Sequence, residues 1–227
     1  FFDSDCIIPP NYIEHVSKSL STTYHDAYGG PDAALPSFTT IQKAINYSMT
    51  SFFTTGGIRG GKKSMDKFHP RTFNLGVSRK AFEALKGFGT MRFGEDVDFS
   101  LRLLSNGFST TLIEDGYVYH KRRATFKQFF KQVYNSGIAR INLHLAHPGS
   151  MKLVHTLPSL FVIAMSTLIL SSLFRPSALL IPLLYSIIVW IDSSIKNKSL
   201  IVGFYSVLAS WTQLFGYGTG FISAVWN

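Results

Sequence analysis

The last third of the chain has almost no charged side chains, and this feature limits the possible folds more than any other. Residues 153–174, 177–191 and 200–226 contain no Asp, Glu, Lys or Arg. A helix needs roughly 20 apolar residues to cross a bilayer. We therefore predict about three transmembrane helices, near residues 153–174, 177–195 and 200–226. The alternative, buried helices of a soluble protein, is less consistent with three such runs joined by short links.

Basic residues concentrate just before the first of these runs, where acidic residues are missing. No Asp or Glu lies between Asp115 and Asp192. Because cytoplasmic flanks of membrane helices carry an excess of Lys and Arg, we expect this flank to be cytoplasmic. The prediction is a multi-pass protein of the cytoplasmic (inner) membrane, although Arg175 then lies outside. The basic residues of the flank are Lys121, Arg122, Arg123, Lys127, Lys131, Arg140 and Lys152.

Net charge and cysteine content bear on the binding partners of the protein and on its cellular compartment. The formal net charge of +9 is compatible with nucleic-acid binding, but the sequence contains no nucleic-acid motif. The basic residues cluster beside the first apolar run, where anionic headgroups or a diphosphate are closer partners. We therefore predict no nucleic-acid partner. The single cysteine, Cys6, excludes a disulfide within the chain and is typical of a reducing compartment.

Residues 1–122 alternate between helical and strand patterns, which predicts an α/β domain with a mixed sheet. We also expect Phe1 and Phe2 to end a buried strand. Residues 123–152 and 153–227 are predicted to be an amphipathic interfacial segment and the transmembrane region. The predicted helices cover residues 12–20, 40–53, 79–85 and 95–106, and the predicted strands cover residues 73–77, 108–113 and 117–119.

The amphipathic segment has one apolar helical face and polar or basic residues elsewhere. Such a face suits the headgroup boundary of a membrane, and it suits packing on the core of the preceding α/β domain equally well. Both interpretations place the segment near the membrane. The apolar face consists of Phe126, Phe129, Phe130, Val133, Gly137 and Ile141.

Two aspartates follow the first apolar residues of the chain. Asp3 and Asp5 come just after a predicted strand, where open α/β sheets bind ligands. Mg²⁺ and Mn²⁺ prefer oxygen ligands and are commonly shared between carboxylates and substrate phosphates. We predict that both aspartates hold such a cation. The alternative is that they cap a turn.

Three acids crowd the start of the helix predicted at residues 95–106. Glu95, Asp96 and Asp98 are favoured there by the helix macrodipole, typically by about 0.3–1 kcal/mol each. That effect explains some of these acids without a catalytic role. A carboxylate at a helix start that faces a hydroxyl group can also act as a general base. We assign this role to Asp96.

His120 follows a predicted strand and precedes a basic run that includes Arg122 and Arg123. Beside a diphosphate, a histidine can complete a metal site and arginines can stabilise the leaving group. The arginines are equally explained as residues that flank a membrane helix. The glycine-rich segment with Gly56 and Gly57 can bind phosphate or a sugar through backbone N–H groups, or it can be a flexible surface loop.

The order of these features resembles the family 2 glycosyltransferases with the GT-A fold. The most specific matches are the strings FNLGVSRKAFEALKGF and GEDVDFSLRLLSNGF, which begin at residues 73 and 94. The resemblance implies a role for each candidate residue. These are metal binding by Asp3, Asp5 and His120, donor binding by Gly56, Gly57, Arg122 and Arg123, base catalysis by Asp96, and an acceptor side with Glu95, Asp98 and Arg102.

The resemblance covers residues 1–140, and the apolar tail is similar to that of membrane-integrated bacterial members. It implies that the chain carries the C-terminal part of the catalytic domain and that the nucleotide-binding front lies outside it. The Gln-x-x-Arg-Trp motif of processive polymer synthases does not occur in the sequence. Processive synthesis is therefore not predicted.

The predicted function is inverting transfer of a sugar from a nucleotide-diphospho-sugar to a hydroxyl acceptor. The resemblance implies Mg²⁺ or Mn²⁺ as cofactor, and a lipid-linked saccharide or a surface polysaccharide as acceptor, at the lipid bilayer. The alternative enzyme is a haloacid-dehalogenase-like phosphohydrolase with Asp3 as nucleophile. The alternative without activity is a membrane-bound interaction module.

Overall fold

The computed structural model describes residues 1–35, 37–56 and 68–226. These residues form two compact units. The first contains residues 1–35 and 68–121, and the second contains residues 37–56 and 122–226. Residues 37–56, which the sequence groups with the catalytic region, therefore belong to the second unit.

The strands and helices of the described ranges follow in chain order. The strands are β1 (Cys6–Ile7), β2 (Ala27–Gly29), β3 (Asp32–Ala33), β4 (Leu75–Val77), β5 (Thr110–Leu112) and β6 (Val118–His120). The helices are α1 (Tyr12–Thr22), α2 (Thr40–Thr50), α3 (Phe52–Thr55), α4 (Arg79–Ala84), α5 (Glu95–Ser105), α6 (Phe126–Ala146), α7 (Leu157–Ser171), α8 (Leu180–Asn197) and α9 (Leu200–Trp226).

The first unit contains two sheets of three strands each, in the orders β1-β6-β3 and β4-β2-β5. In the first sheet β6 pairs antiparallel with β1 and parallel with β3. In the second sheet β2 pairs antiparallel with β4 and parallel with β5. Both sheets are mixed, as the sequence predicts, and β6 brings His120 to the start of β1.

Two apolar clusters hold the helices of the first unit against its strands. Phe99 and Leu103 of α5 are fully buried and pack in one cluster with Leu75 of β4. Tyr12 of α1 is buried in the other cluster with Val118 of β6. Burying side chains of this size stabilises the fold by about 1.5–3 kcal/mol each. Helix α5 and strand β6 are therefore each packed into the core of the first unit.

Three of the predicted helices are present in the structure, whereas the strands differ in part from the prediction. The helices predicted at residues 12–20, 79–85 and 95–106 are confirmed, with small shifts at their ends. The prediction that Phe1 and Phe2 end a buried strand is wrong, because both side chains are partly exposed and Phe2 forms only an isolated bridge with Asn74. The strands β2 and β3 were not predicted, since Gly29, Gly30 and Pro31 at and between them are typical of a loop.

In the second unit, α9 packs against α2, α6, α7 and α8. A buried cluster joins Ala44 and Ile45 of α2 to Phe129 and Val133 of α6 and to Ala209 of α9. The apolar face of α6 is thus buried inside the protein at these two positions. The structure thus packs this face on α2 and α9 of the second unit. The interfacial position of the segment stays a prediction.

Glycines bring the backbones of α6 and α9 close together. A Cβ atom added at Gly220 of α9 would overlap the carbonyl oxygen of Tyr134, and one added at Gly137 of α6 would overlap the carbonyl oxygen of Tyr217. Small residues allow this kind of close approach between membrane helices. A side chain at either position would force the two helices apart.

Replacing Gly220 by valine is expected to destabilise the second unit by about 1–3 kcal/mol, because the new side chain cannot fit against α6. The measurement is thermal unfolding of the purified protein in detergent. Ala164→Val is the control, since Ala164 is exposed on α7. Equal unfolding temperatures for Gly220→Val and the unmutated protein would contradict the close packing.

Two helices of the described residues are long and apolar enough to cross a membrane, namely Pro176–Asn197 and Leu200–Trp226. The prediction of three spans is wrong, because α7 has only 15 residues. A 3₁₀ turn at Leu153–His155 and a turn after Ser171 occupy the ends of that uncharged run. The two longer helices support association with a membrane.

Candidate active site

A tight turn presents Asp3 and Asp5 at the start of β1. The backbone N–H of Cys6 donates to the carbonyl oxygen of Asp3 over 3.1 Å and closes the turn. Both aspartates are partly exposed, with 45% and 34% of their side chains accessible. The two carboxylates are therefore open to solvent and to a ligand.

The pairing of β1 with β6 brings His120 to the same place. His120 lies directly opposite Cys6 in the antiparallel register. Its Nε2 atom lies 3.2 Å from Oδ1 of Asp5 and 3.8 Å from Oδ2 of Asp3. The structure thus brings together the three residues that the sequence predicts as metal ligands.

The imidazole of His120 is held by its neighbours. Its ring stacks on that of Phe73 with centroids 5.1 Å apart. Its Nδ1 atom is buried and has no hydrogen-bond partner among the described residues. In this position the stacked ring presents Nε2 to the two carboxylates.

The donor atoms fit a divalent cation. One donor atom each from Asp5, Cys6 and His120 lies within 4.8 Å of the other two. Carboxylate oxygens suit Mg²⁺ and Mn²⁺, and imidazole is a frequent ligand of transition metals. The sequence reasoning missed Cys6, although its position next to Asp5 was visible. Burial, and then the charges of Asp3 and Asp5, raise the pKa of the Cys6 thiol to about 11.

Asp96 is fixed at the first turn of α5. Its Oδ1 atom accepts the backbone N–H of Val97 over 2.8 Å, and its Oδ2 atom lies 3.2 Å from Nη1 of Arg71. Only 18% of the Asp96 side chain is exposed. Sequence reasoning missed Arg71, because the pairing joins residues far apart in the chain. The carboxylate is therefore oriented by two donors.

The neighbouring acids have different surroundings. Asp98 is buried and accepts from Nε of Arg102 over 2.9 Å. Arg102 also donates to the backbone oxygens of Leu85 and Gly87. These contacts hold α5 against the segment of Leu85 and Gly87. The acceptor-side role of Asp98 and Arg102 stays a prediction. Glu95 is partly exposed at the same helix start.

Asn74 joins the turn of Asp3 to the neighbourhood of Asp96. It is fully buried and forms isolated antiparallel bridges with Phe2, the residue before Asp3, and with Arg71. Its side chain donates to the carbonyl oxygen of Gly116 over 2.7 Å and accepts from the Tyr12 hydroxyl over 2.6 Å. A buried asparagine with its hydrogen bonds satisfied holds its surroundings in one arrangement.

The predicted donor-binding residues belong to the second unit or lie outside the described residues. Arg122 is buried, and its Nε atom donates to Oδ1 of Asn46 over 3.1 Å. Arg123 is exposed. Gly56 ends α3 in the left-handed conformation, with φ of 61°. Gly57 and the rest of the predicted glycine-rich loop lie outside the described residues. Their donor-binding roles stay predictions.

Comparison with known protein families gives the class of the protein. The family described as Glycosyl transferase family group 2 matches residues 1–191. The chain is therefore a glycosyltransferase. It belongs to Glycosyl transferase family group 2, which confirms the resemblance seen in the sequence. No curated protein matches the chain. Membership of this family sets aside the phosphohydrolase and the non-catalytic module.

Proposed function

We propose that this glycosyltransferase transfers a sugar, with inversion, from a nucleotide-diphospho-sugar bound with Mg²⁺ or Mn²⁺ to a hydroxyl group of its acceptor. Asp96 is the general base, and Asp3, Asp5 and His120 hold the cation. The main support for the proposal is a chain of contacts between the two groups of residues. Asn74 forms backbone bridges with Phe2, next to Asp3, and with Arg71, and Arg71 forms an ion pair with Asp96.

The chemical step needs one displacement. The acceptor hydroxyl gives its proton to the Asp96 carboxylate, and its oxygen attacks the anomeric carbon. The bond from that carbon to the diphosphate breaks, and the diphosphate leaves with the electron pair. A divalent cation held by Asp3, Asp5 and His120 would supply positive charge for the diphosphate. A single displacement inverts the anomeric configuration.

The basic residues after His120 supply further charge for the diphosphate. Arg123 is exposed, whereas the guanidinium of Arg122 is buried and bonded to Asn46. The exposed Arg123 is proposed to contact the diphosphate, and Arg122 is proposed to add positive charge. Gly56 and Gly57 are proposed to contribute backbone N–H groups on the donor side.

A membrane location at the cytoplasmic face is supported by exposed apolar side chains on the helices of the second unit. Soluble monomers rarely expose large contiguous apolar patches. The basic flank of residues 121–152 favours a cytoplasmic position for the catalytic residues. The acceptor is accordingly proposed to be a lipid-linked saccharide or a surface polysaccharide. The exposed side chains include Leu160 and Ile163 of α7, Leu183, Leu184 and Ile187 of α8, and Ile201 and Phe204 of α9.

The stereochemistry of the product tests the single displacement. With a donor whose sugar is α-linked to the diphosphate, the new glycosidic bond is expected to be β. Proton NMR of the product made by the full-length protein reads this from the coupling constant of the anomeric proton. An α-linked product would show retention and would remove the proposed mechanism.

Arg71→Ala is expected to lower kcat between about 10- and 100-fold with little change in the KM for the donor, because Asp96 loses a group that orients it. Arg71→Lys keeps the charge and should recover part of the rate. Arg79→Ala is the control, since Arg79 pairs with Glu83 on the exposed face of α4. Unchanged kcat in Arg71→Ala would show that the ion pair has no part in catalysis.

A further inference from the structure

We propose that Cys6 is a ligand at the site of Asp5 and His120, and that it makes this site prefer soft divalent cations such as Zn²⁺ and Cd²⁺ to Mg²⁺. Such a cation would compete with the Mg²⁺ or Mn²⁺ of the transfer reaction. The competition rests on the proposed function, whereas binding of the soft cation does not require that function.

The strand register places the thiol beside the imidazole. Cys6 and His120 are directly opposite each other in the antiparallel pair of β1 and β6. Opposite residues in such a pair project from the same face, with Cβ atoms about 4.5–5.5 Å apart. The donor atoms of Asp5, Cys6 and His120 lie within 4.8 Å of one another, so small side-chain movements can bring them onto one ion.

The three donor types favour a softer ion than the reaction requires. Zinc sites in proteins are built from thiolate, imidazole and carboxylate ligands. Mg²⁺ demands oxygen ligands in an octahedral arrangement and has little use for a thiolate. Asp5 and His120 belong to both ligand sets. The hard and the soft cation therefore exclude each other at this site.

The thiol makes one weak hydrogen bond, and Cys6 packs beside the apolar cluster of Tyr12 and Val118. Cys6 is partly exposed, and its Sγ atom donates to the carbonyl oxygen of Phe73 over a long distance of 3.5 Å. A thiol is a weak hydrogen-bond donor, so little is lost when this contact breaks. Binding forms a bond between sulfur and the metal and releases the thiol proton to the buffer. No oxidation or reduction takes place.

The test titrates the full-length protein with Cd²⁺ in metal-free buffer, without any nucleotide-sugar. Any other cysteine of the protein used is replaced by serine, so that Cys6 is its only thiol. A charge-transfer absorption from sulfur to cadmium is expected at one Cd²⁺ per protein and is expected to vanish in Cys6→Ser. His120→Gln should weaken the binding at least about tenfold. No absorption, or equal affinity in His120→Gln, would overturn the proposal.

A second measurement uses the protein with its Cys6 and His120 intact. Zn²⁺ is expected to slow alkylation of Cys6 by N-ethylmaleimide, followed by mass spectrometry, and an unchanged rate would overturn the proposal. In the transfer reaction with Mn²⁺, half-maximal inhibition of Cys6→Ser should need a Zn²⁺ concentration at least about tenfold higher than that for the unmutated protein. Each variant is compared with its own uninhibited rate. Failure to transfer sugar would count against the proposed function, while Cd²⁺ binding and alkylation would still be scored.

Discussion

Replacing Asp96 with asparagine is expected to lower the rate of sugar transfer by about 10²- to 10⁴-fold, which is the usual contribution of a general base. Asparagine keeps the shape of the side chain but cannot accept the proton of the acceptor hydroxyl. Binding of the nucleotide-sugar should stay nearly unchanged, because Asp96 acts on the acceptor. The rate is measured as nucleoside diphosphate released by the full-length protein, and donor affinity by calorimetry.

The control for this substitution is Glu83→Gln. Glu83 pairs with Arg79 on α4, and 61% of its side chain is exposed. Substitutions at such surface sites usually change stability by no more than about 0.5 kcal/mol. If Asp96→Asn retains most of the turnover, Asp96 is not the base. A comparable loss in Glu95→Gln, with Asp96→Asn active, would assign the role to Glu95.

Asp5→Asn is expected to lower activity by at least about 100-fold at a fixed Mn²⁺ concentration, because a charged ligand beside His120 is lost. Outer partners of metal ligands alone account for about 10- to 100-fold, and a direct ligand should matter at least as much. Higher Mn²⁺ should restore part of the rate. The measurement is the Mn²⁺ concentration that gives half of the maximal rate.

Asp115→Asn is the matched control for this aspartate, since Asp115 is exposed and lies in the turn before β6. Its Mn²⁺ requirement should equal that of the unmutated protein. An unchanged Mn²⁺ requirement in Asp5→Asn would exclude Asp5 from the metal site. A loss of activity that no Mn²⁺ concentration relieves, together with a lower unfolding temperature, would indicate a structural effect instead.

Local patterns predicted the helices well. The acids at the start of α5 and the i, i+4 spacing of Phe99 and Leu103 are contained in one short stretch of sequence. The helix therefore forms where its own residues favour it, and tertiary packing confirms the choice by burying Phe99 and Leu103 completely. Features of this kind can be predicted because cause and effect are close in the chain.

The contacts that organise the site could not be predicted in the same way. Asn74 bonds to Tyr12 and Gly116, and Arg71 pairs with Asp96, across long separations in the sequence. Cys6 faces His120 only because of the register between two short strands. A register shift by one residue would turn every side chain of a strand to the other face, and no local pattern fixes it in strands this short.

The number of membrane helices shows the limit of composition. The uncharged run of residues 153–174 is long enough to span a bilayer, but only residues 157–171 form α7. Pro158 stands in the first turn of this helix, a position that favours helix initiation. Composition therefore predicted the apolar character of this segment. The length of α7 depends on where the helix begins and ends, which composition does not show.

The most direct test of the account is a transfer assay of the full-length protein against a panel of nucleotide-diphospho-sugars, with and without added Mn²⁺ or Mg²⁺. We predict that at least one donor is consumed, that a nucleoside diphosphate is released, and that the reaction stops when the cation is chelated and in Asp96→Asn. Consumption of a donor at the same rate without a divalent cation, or by Asp96→Asn, would contradict the proposed site.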